Sequence, residues 1–273
     1  MIWSEEAGEA AAPLVVLIHG AMDRSTSMLR LSRRLEGRFR VLRYDRRGYG
    51  RSQSDDAPDG PFGVDAQLAD LVALLAGRRA LLVGHSYGGD VALATAARHP
   101  ELIAGISVYE APLSWASWWP RTTAGAEAVA TAGNGSGSAE DAAENAAEQF
   151  MRRLIGDAAW DALPVRTRTV RRAEGAALVG ELRDLQAGQP WRDTDVRCPV
   201  VLGFGARGAD HHKRGMGALH DLFPQSLLEE LAECRHDAPN SHPQLFVETL
   251  VEPLAMMAGE PWSVAVNPSE PRC

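Results

Sequence analysis

The chain is poor in the residue types that mark specialised classes. Three cysteines stand in 273 residues, at Cys198, Cys234 and Cys273, far apart and with no C-x-x-C pair. That spacing offers neither a disulfide framework nor a zinc site, so free thiols and no bound metal are expected. Lysine occurs once, at Lys213. The remaining positive charge is arginine, scattered rather than gathered into a stripe, and the net charge is -8; nucleic acid is therefore not an expected partner. Long apolar runs are missing as well. The stretch Leu14 to Ile18 is far short of the roughly 20 residues that a bilayer span needs. Residues Met1 to Glu6 are acidic where a secretory leader would be basic, and no apolar segment follows them. These absences lead to the expectation of a cytoplasmic protein without a membrane partner.

What is present is an ordinary globular composition, 45% hydrophobic and 23% charged, enough for a real core. Short apolar runs alternate with helical periodicity. Strands are predicted at Pro13 to His19, Arg40 to Tyr44, Ala80 to Val83 and Ile103 to Tyr109. Between them lie helices from Ser25 or Thr26 to Gly37, from Val64 to Ala76 and from Gly88 to Arg98. The alternation resumes with a strand at Val200 to Phe204, a helix near Gly215 to Leu222, a strand at Leu227 to Leu231 and a helix from Pro243 to Met257. Such a pattern specifies an α/β architecture with a parallel sheet and helices on both faces. Residues 112–195 break it: tryptophan-rich Ser114 to Pro120, a flexible Gly133 to Ser138, then helices at Ala139 to Ile155 and Val165 to Ala187. The expected organisation is a core of residues 1–111 and 196–258, a helical cap at 112–195 and a loose tail at 259–273.

The most specific local signal is Gly84-His85-Ser86-Tyr87-Gly88 between a strand and a helix. Small flanking residues let strand and helix approach closely, so Ser86 is forced onto a sharp turn with its hydroxyl exposed at a helix N-terminus. An alcohol is a weak nucleophile at neutral pH, so such a serine needs a base that can accept and return its proton, a task suited to histidine.

On these residues the chain resembles the α/β-hydrolase fold family, over about residues 13 to 258. His19-Gly20 ends the first core strand, and the resemblance implies that the next residue, Ala21, supplies an oxyanion-hole N–H together with Tyr87. Asp45-Arg46-Arg47-Gly48-Tyr49-Gly50-Arg51-Ser52 is similar to a structural loop of the family. His236 matches the family's catalytic histidine; a surface role for it, or His242 in its place, are the competing readings. His19 and His85 are read as braces for their turns, and His211-His212 as a solvated loop. The chain before Pro13 is short, so a trimmed sheet edge is expected.

One departure stands out. Gly205-Ala206-Arg207-Gly208 places glycine where the family often has the aspartate that orients the histidine. Glu110, at the end of the preceding strand, is favoured over Asp210 as the substitute because a strand end holds geometry better; a dyad without an acid is a third reading. The resemblance implies a cofactor-free serine hydrolase, monomeric or homodimeric, acting on an ester, thioester or lactone of a small molecule. Serine at the elbow disfavours the epoxide-hydrolase and dehalogenase chemistries of the fold, which use aspartate there. Met22 and the cap residues Trp115, Trp118 and Trp119 are candidates for substrate contact, although tryptophan in a cap can equally bind it to the core. A non-hydrolytic enzyme of the same fold (cyclase, lyase or C–C bond cleavage), or a binding protein without turnover, are the alternative classes.

Overall fold

The computed structural model describes residues 1–53, 60–134 and 137–259. Seven strands form one sheet in the order β1-β3-β2-β4-β5-β6-β7. They are β1 (Ser4–Ala7), β2 (Leu14–Ile18), β3 (Arg40–Tyr44), β4 (Ala80–His85), β5 (Ile103–Tyr109), β6 (Val200–Gly205) and β7 (Leu227–Leu231). Among the described strands β1 runs antiparallel, against β3 at one edge of the sheet, and the other pairings are parallel. Every residue of β2 is buried, as a strand covered on both faces must be. Val15 and Leu17 face α1 (Leu29–Leu35), while Val16 and Ile18 face α2 (Val64–Leu75) and α3 (Tyr87–Arg98). The register sets Ile18 beside Gly84, His85 beside Tyr109, and Tyr109 beside Gly203. The loops after β2, β4, β5 and β6 therefore leave the sheet along one edge, where open α/β sheets place their sites.

Between β5 and β6 the described residues form five α-helices: α4 (Ala124–Asn134), α5 (Ala139–Ile155), α6 (Asp157–Asp161), α7 (Val165–Arg172) and α8 (Gly175–Ala187). A capping box at Ser138 and Asp141 starts α5. Its buried face, Ala142, Ala143, Ala146, Ala147, Phe150 and Met151, recurs at helical spacing and packs on Trp160, Leu178 and Leu182. The core continues after β6 with α9 (Asp210–Leu222), and after β7 with α10 (Ala238–Ser241) and α11 (Pro243–Phe246). One π-helical turn, Val247–Val251, then leads into α12 (Glu252–Ala258).

Four local expectations change. Helix α1 starts at Leu29 without a side-chain cap, because the Ser25 hydroxyl donates instead to Asp45 Oδ1 at 2.5 Å. The alanine-rich helix α4 has too weak an apolar stripe to show in the sequence, and Gly133 and Asn134 belong to it. The helix expected from Val165 to Ala187 is two helices, α7 and α8, broken at residues 173–174. Helix α9 begins at Asp210, five residues earlier than Gly215, which puts His211 and His212 in its first turn rather than in a solvated loop. The linker residues 135–136 and the tail beyond Gly259, with Cys273, lie outside the described residues. Cys198 and Cys234 are free thiols.

Carboxylates on and beside α8 tie the inserted helices to the sheet loops. Glu174 accepts from Arg24 and the Gly50 N–H, Asp184 from the Val64 N–H, and Glu181 from Arg46, Tyr49 and Gln67. The Arg46–Glu181 pair has no exposed surface, and the guanidinium lies between the rings of Tyr49 and Tyr87, 5.0 and 4.8 Å from their centroids. Removing one member of such a pair leaves a buried charge without a partner. Glu181→Ala is expected to cost about 3–5 kcal/mol in denaturant unfolding, whereas Arg153→Ala, at the exposed pair with Glu127, changes the midpoint little.

Candidate active site

The turn after β4 is strained. Ser86 has φ 54° and ψ -129°, a conformation that side-chain-bearing residues adopt only when their surroundings enforce it. The enforcement is close packing. A Cβ on Gly84 would stand 2.4 Å from the Gly88 carbonyl oxygen, and one on Gly88 would stand 2.2 Å from that of Ile18, so no larger residue fits either place. The Ser86 N–H donates to Tyr109 O at 2.8 Å, and Ser86 O accepts from the Gly89 N–H at 2.7 Å. Tyr87 is the first residue of α3, so its N–H has no acceptor within the helix. The loop after β2 lies against the same turn: a Cβ on Gly20 would be 2.9 Å from Ser86 Cβ. Arg46 turns the carbonyls of His19 and Gly20 toward itself, each at 2.9 Å. His19 Nδ1–H donates to Gly20 O at 2.8 Å, and its Nε2 accepts from the Arg46 N–H at 2.9 Å; burial holds this imidazole neutral.

Glu110, directly after β5, also takes a positive φ, 51°, which swings its fully buried carboxylate across the end of β6. There Oε1 accepts from the Gly205 N–H at 2.8 Å, and Oε2 accepts from His236 Nδ1–H at 2.6 Å. Gly208 explains the room: a Cβ at that position would stand 2.7 Å from Glu110 Oε1. The glycine in the usual aspartate slot and the glutamate one strand earlier are therefore two sides of one arrangement. Asp210 is exposed in the first turn of α9, and the carboxylate on His236 is that of Glu110. With Nδ1 donating to a carboxylate, the ring leaves Nε2 free as an acceptor.

His85 braces the histidine loop rather than its own turn, because its Nε2–H donates to the His236 carbonyl at 2.7 Å. The Tyr109 hydroxyl donates to Arg235 O at 2.8 Å from the other side. Burial, with His236 alongside, lowers the His85 pKa well below the usual imidazole value. His242 is exposed and bonds to Ser241, away from this cluster. Glu110, His212 and His236 each bring one donor atom within 4.8 Å of the others. The His212 and His236 rings are stacked, however, and their planes differ by 19°. In-plane lone pairs on stacked rings run nearly side by side rather than converging on one ion.

Ser86 and His236 line the same cavity, of about 540 Å³. Among the described residues no hydrogen bond joins Ser86 Oγ to His236; proton-transfer contacts of this kind often tighten only when substrate is bound. Ala21 and Met22 line the cavity as well, and Met22 is a further residue with positive φ, 52°. The apolar wall is Phe150, Met151, Leu154 and Ile155 of α5, with Arg171 and Arg235 also on the lining. Sequence reading missed this wall, although the apolar residues closing α5 were its signal. Trp115, Trp118 and Trp119 are not among the lining residues. Trp115 packs edge-on against Trp191, Trp118 lies under Arg214, and Trp119 contacts His211 and His212. These tryptophans bind the inserted segment to the core.

Comparison with known proteins agrees with this fold. Residues 15–249 match the model of the alpha/beta hydrolase family. The chain is 30% identical over 260 residues to a pimeloyl-[acyl-carrier protein] methyl ester esterase of Chromobacterium violaceum, spanning 90% of this chain and 96% of that one. Among solved structures it is similar to an enol-lactonase from Burkholderia xenovorans, with a TM-score of 0.70, 21% identity and coverage of 93% of this chain and 95% of that one. A thermophilic esterase from Thermogutta terrifontis is similar at a TM-score of 0.69 and 20% identity, with 94% of each chain covered. A sheet of this order, a strained serine turn and a carboxylate-held histidine at one edge accompany a family match over most of the sequence, and the chain belongs to the alpha/beta hydrolase family.

Proposed function

We propose that the protein is a serine hydrolase that cleaves an ester, thioester or lactone of a fairly bulky, apolar small molecule through an acyl-enzyme on Ser86. The observation that carries the reading is the Glu110–His236 hydrogen bond beside a cavity that Ser86 also lines. His236 Nε2 takes the Ser86 proton as Oγ attacks the carbonyl carbon, and Glu110 keeps the ring in the required tautomer and stabilises the imidazolium. The N–H groups of Ala21 and Tyr87 receive the developing oxyanion. The proton then passes from His236 to the leaving oxygen or sulfur. Water, deprotonated by the same histidine, opens the acyl-enzyme and restores Ser86.

Residues 112–195 act as a cap in this reading, with α5 supplying the apolar wall that receives the acyl or alcohol part. The methyl ester esterase of C. violaceum, similar over nearly the whole chain, supports carboxylic ester chemistry. No described helix is long and apolar enough to cross a membrane.

Ser86→Ala is expected to abolish hydrolysis of p-nitrophenyl esters and labelling by a fluorophosphonate probe; retained turnover would remove Ser86 from the mechanism. Glu110→Gln should lower kcat by about 10²–10⁴-fold, while Asp210→Asn stays within about twofold, as surface substitutions do. The opposite ranking in steady-state assays would assign the acid to Asp210. Because a Cβ at position 208 intrudes on Glu110, Gly208→Ala should lower kcat as well, with KM little changed.

A further inference from the structure

The histidine at the site is enclosed by two other imidazoles, and neither has been assigned a part in the chemistry. The His236 ring has the His85 ring on one flank, with centroids 4.6 Å apart and planes tilted by 48°. The His212 ring stacks on it with centroids 4.8 Å apart and planes only 19° apart. His212 sits in the first turn of α9, wedged against His211 at 4.3 Å and Trp119 at 5.8 Å. Its Nδ1 is buried and has no hydrogen-bond partner among the described residues. A buried polar atom left unsatisfied is costly. A residue that served only packing would be better filled by an apolar side chain of similar size.

We propose that His212 is a positioning residue for the reaction assigned to Ser86: its stacked ring fixes the plane of His236 and stabilises the imidazolium that forms when Ser86 gives up its proton. This rests on the hydrolase reading above. The physical basis is the negative face of an aromatic ring, which attracts a cation held over it. For that attraction the stacked ring must itself stay uncharged. Burial, followed by repulsion from His236, His211 and His85, pushes the His212 pKa well below the usual imidazole value. A charge held by His236 thus meets neutral faces at His85 and His212 and one carboxylate, that of Glu110. Other titratable or charged groups around the site are His211, also held below the usual value, chiefly by burial, and Asp210 on α9, Arg235 and Asp237 on the histidine's own loop, and Asp23 and Arg171 on the cavity lining.

The place of α9 matters to this packing. Helix α9 starts at Asp210, two residues after Gly208. Its first turn presents a ring face to His236. One carboxylate from β5 and one ring from α9 thus share the work of holding the base, the first in the plane of the imidazole and the second across it.

The test is a pair of substitutions assayed with a p-nitrophenyl ester from pH 5 to 9, with thermal unfolding of each variant as the check on folding. His212→Ala removes the ring and should lower kcat about tenfold, the scale of one desolvated cation–π contact. KM should stay unchanged, and the acid limb of kcat/KM should move to lower pH as the imidazolium loses its support. His212→Phe keeps a ring face without a titrating nitrogen and should return kcat and the acid limb to wild-type values. Wild-type rates in both variants overturn the proposal, as do equal losses in both variants with folding intact, since either result shows that the ring face is not the agent. Should one variant unfold, His212→Gln, similar in reach but without a ring, must behave as Ala is expected to; a wild-type profile from it has the same overturning force. A wild-type protein whose turnover equals that of Ser86→Ala fails the hydrolase reading itself, and this inference falls with it.

Discussion

A single carboxylate, that of Glu110, organises the site. One of its oxygens is held by the Gly205 N–H at the end of the neighbouring strand and the other accepts from His236. It thereby joins the ends of β5 and β6 to the loop that follows β7. A charged group without exposed surface survives only where hydrogen bonds replace its hydration, so every element that supplies or makes room for those bonds is constrained by it. The constraint reaches Gly208, which must lack a side chain, and the backbone of Glu110, which must take a strained conformation. It also reaches the loop bearing His236, which is clasped by His85 and Tyr109 through carbonyl oxygens. The base is thus held from the sheet side by groups that are themselves locked in the core.

The opposite wall of the cavity comes from the inserted helices, and their attachment is equally specific. Three carboxylates on and just before α8, Glu174, Glu181 and Asp184, reach down to loops of the sheet. One of them meets Arg46, whose other donors hold the carbonyls of His19 and Gly20. The orientation of the peptide beside Ser86 is therefore coupled to the seating of the inserted segment. This coupling runs through a buried ion pair and two aromatic rings, an arrangement that tolerates little displacement because unpairing either charge is costly.

Much of this was legible in the sequence because the signals were local. Short apolar-rich runs mark β2 to β5, and α5 and β7 have the bounds expected from the sequence. The Gly-flanked Ser86 announced its own strain, and the glycine at 208 directed attention to Glu110. What escaped was set by tertiary contact. Ser25 is a good helix cap in isolation, yet Asp45 claims its hydroxyl. Trp115, Trp118 and Trp119 could face either way, and only packing decides that they join the segment to the core. His211-His212 looks solvated as a dipeptide, but the early start of α9 turns one ring onto His236. The Arg46–Glu181 pair, 135 residues apart in the chain, has no local signature at all.

The proton between His236 Nδ1 and Glu110 Oε2 offers the most direct test. In proton NMR a ring N–H held by a buried carboxylate resonates far downfield and exchanges slowly, and specific ¹⁵N labelling of histidine assigns it. Such a resonance is expected from His236 in the wild-type protein, displaced upfield or lost when Glu110 is replaced by glutamine and untouched when Asp210 is replaced by asparagine. A resonance indifferent to the first change and abolished by the second would contradict the Glu110–His236 pairing.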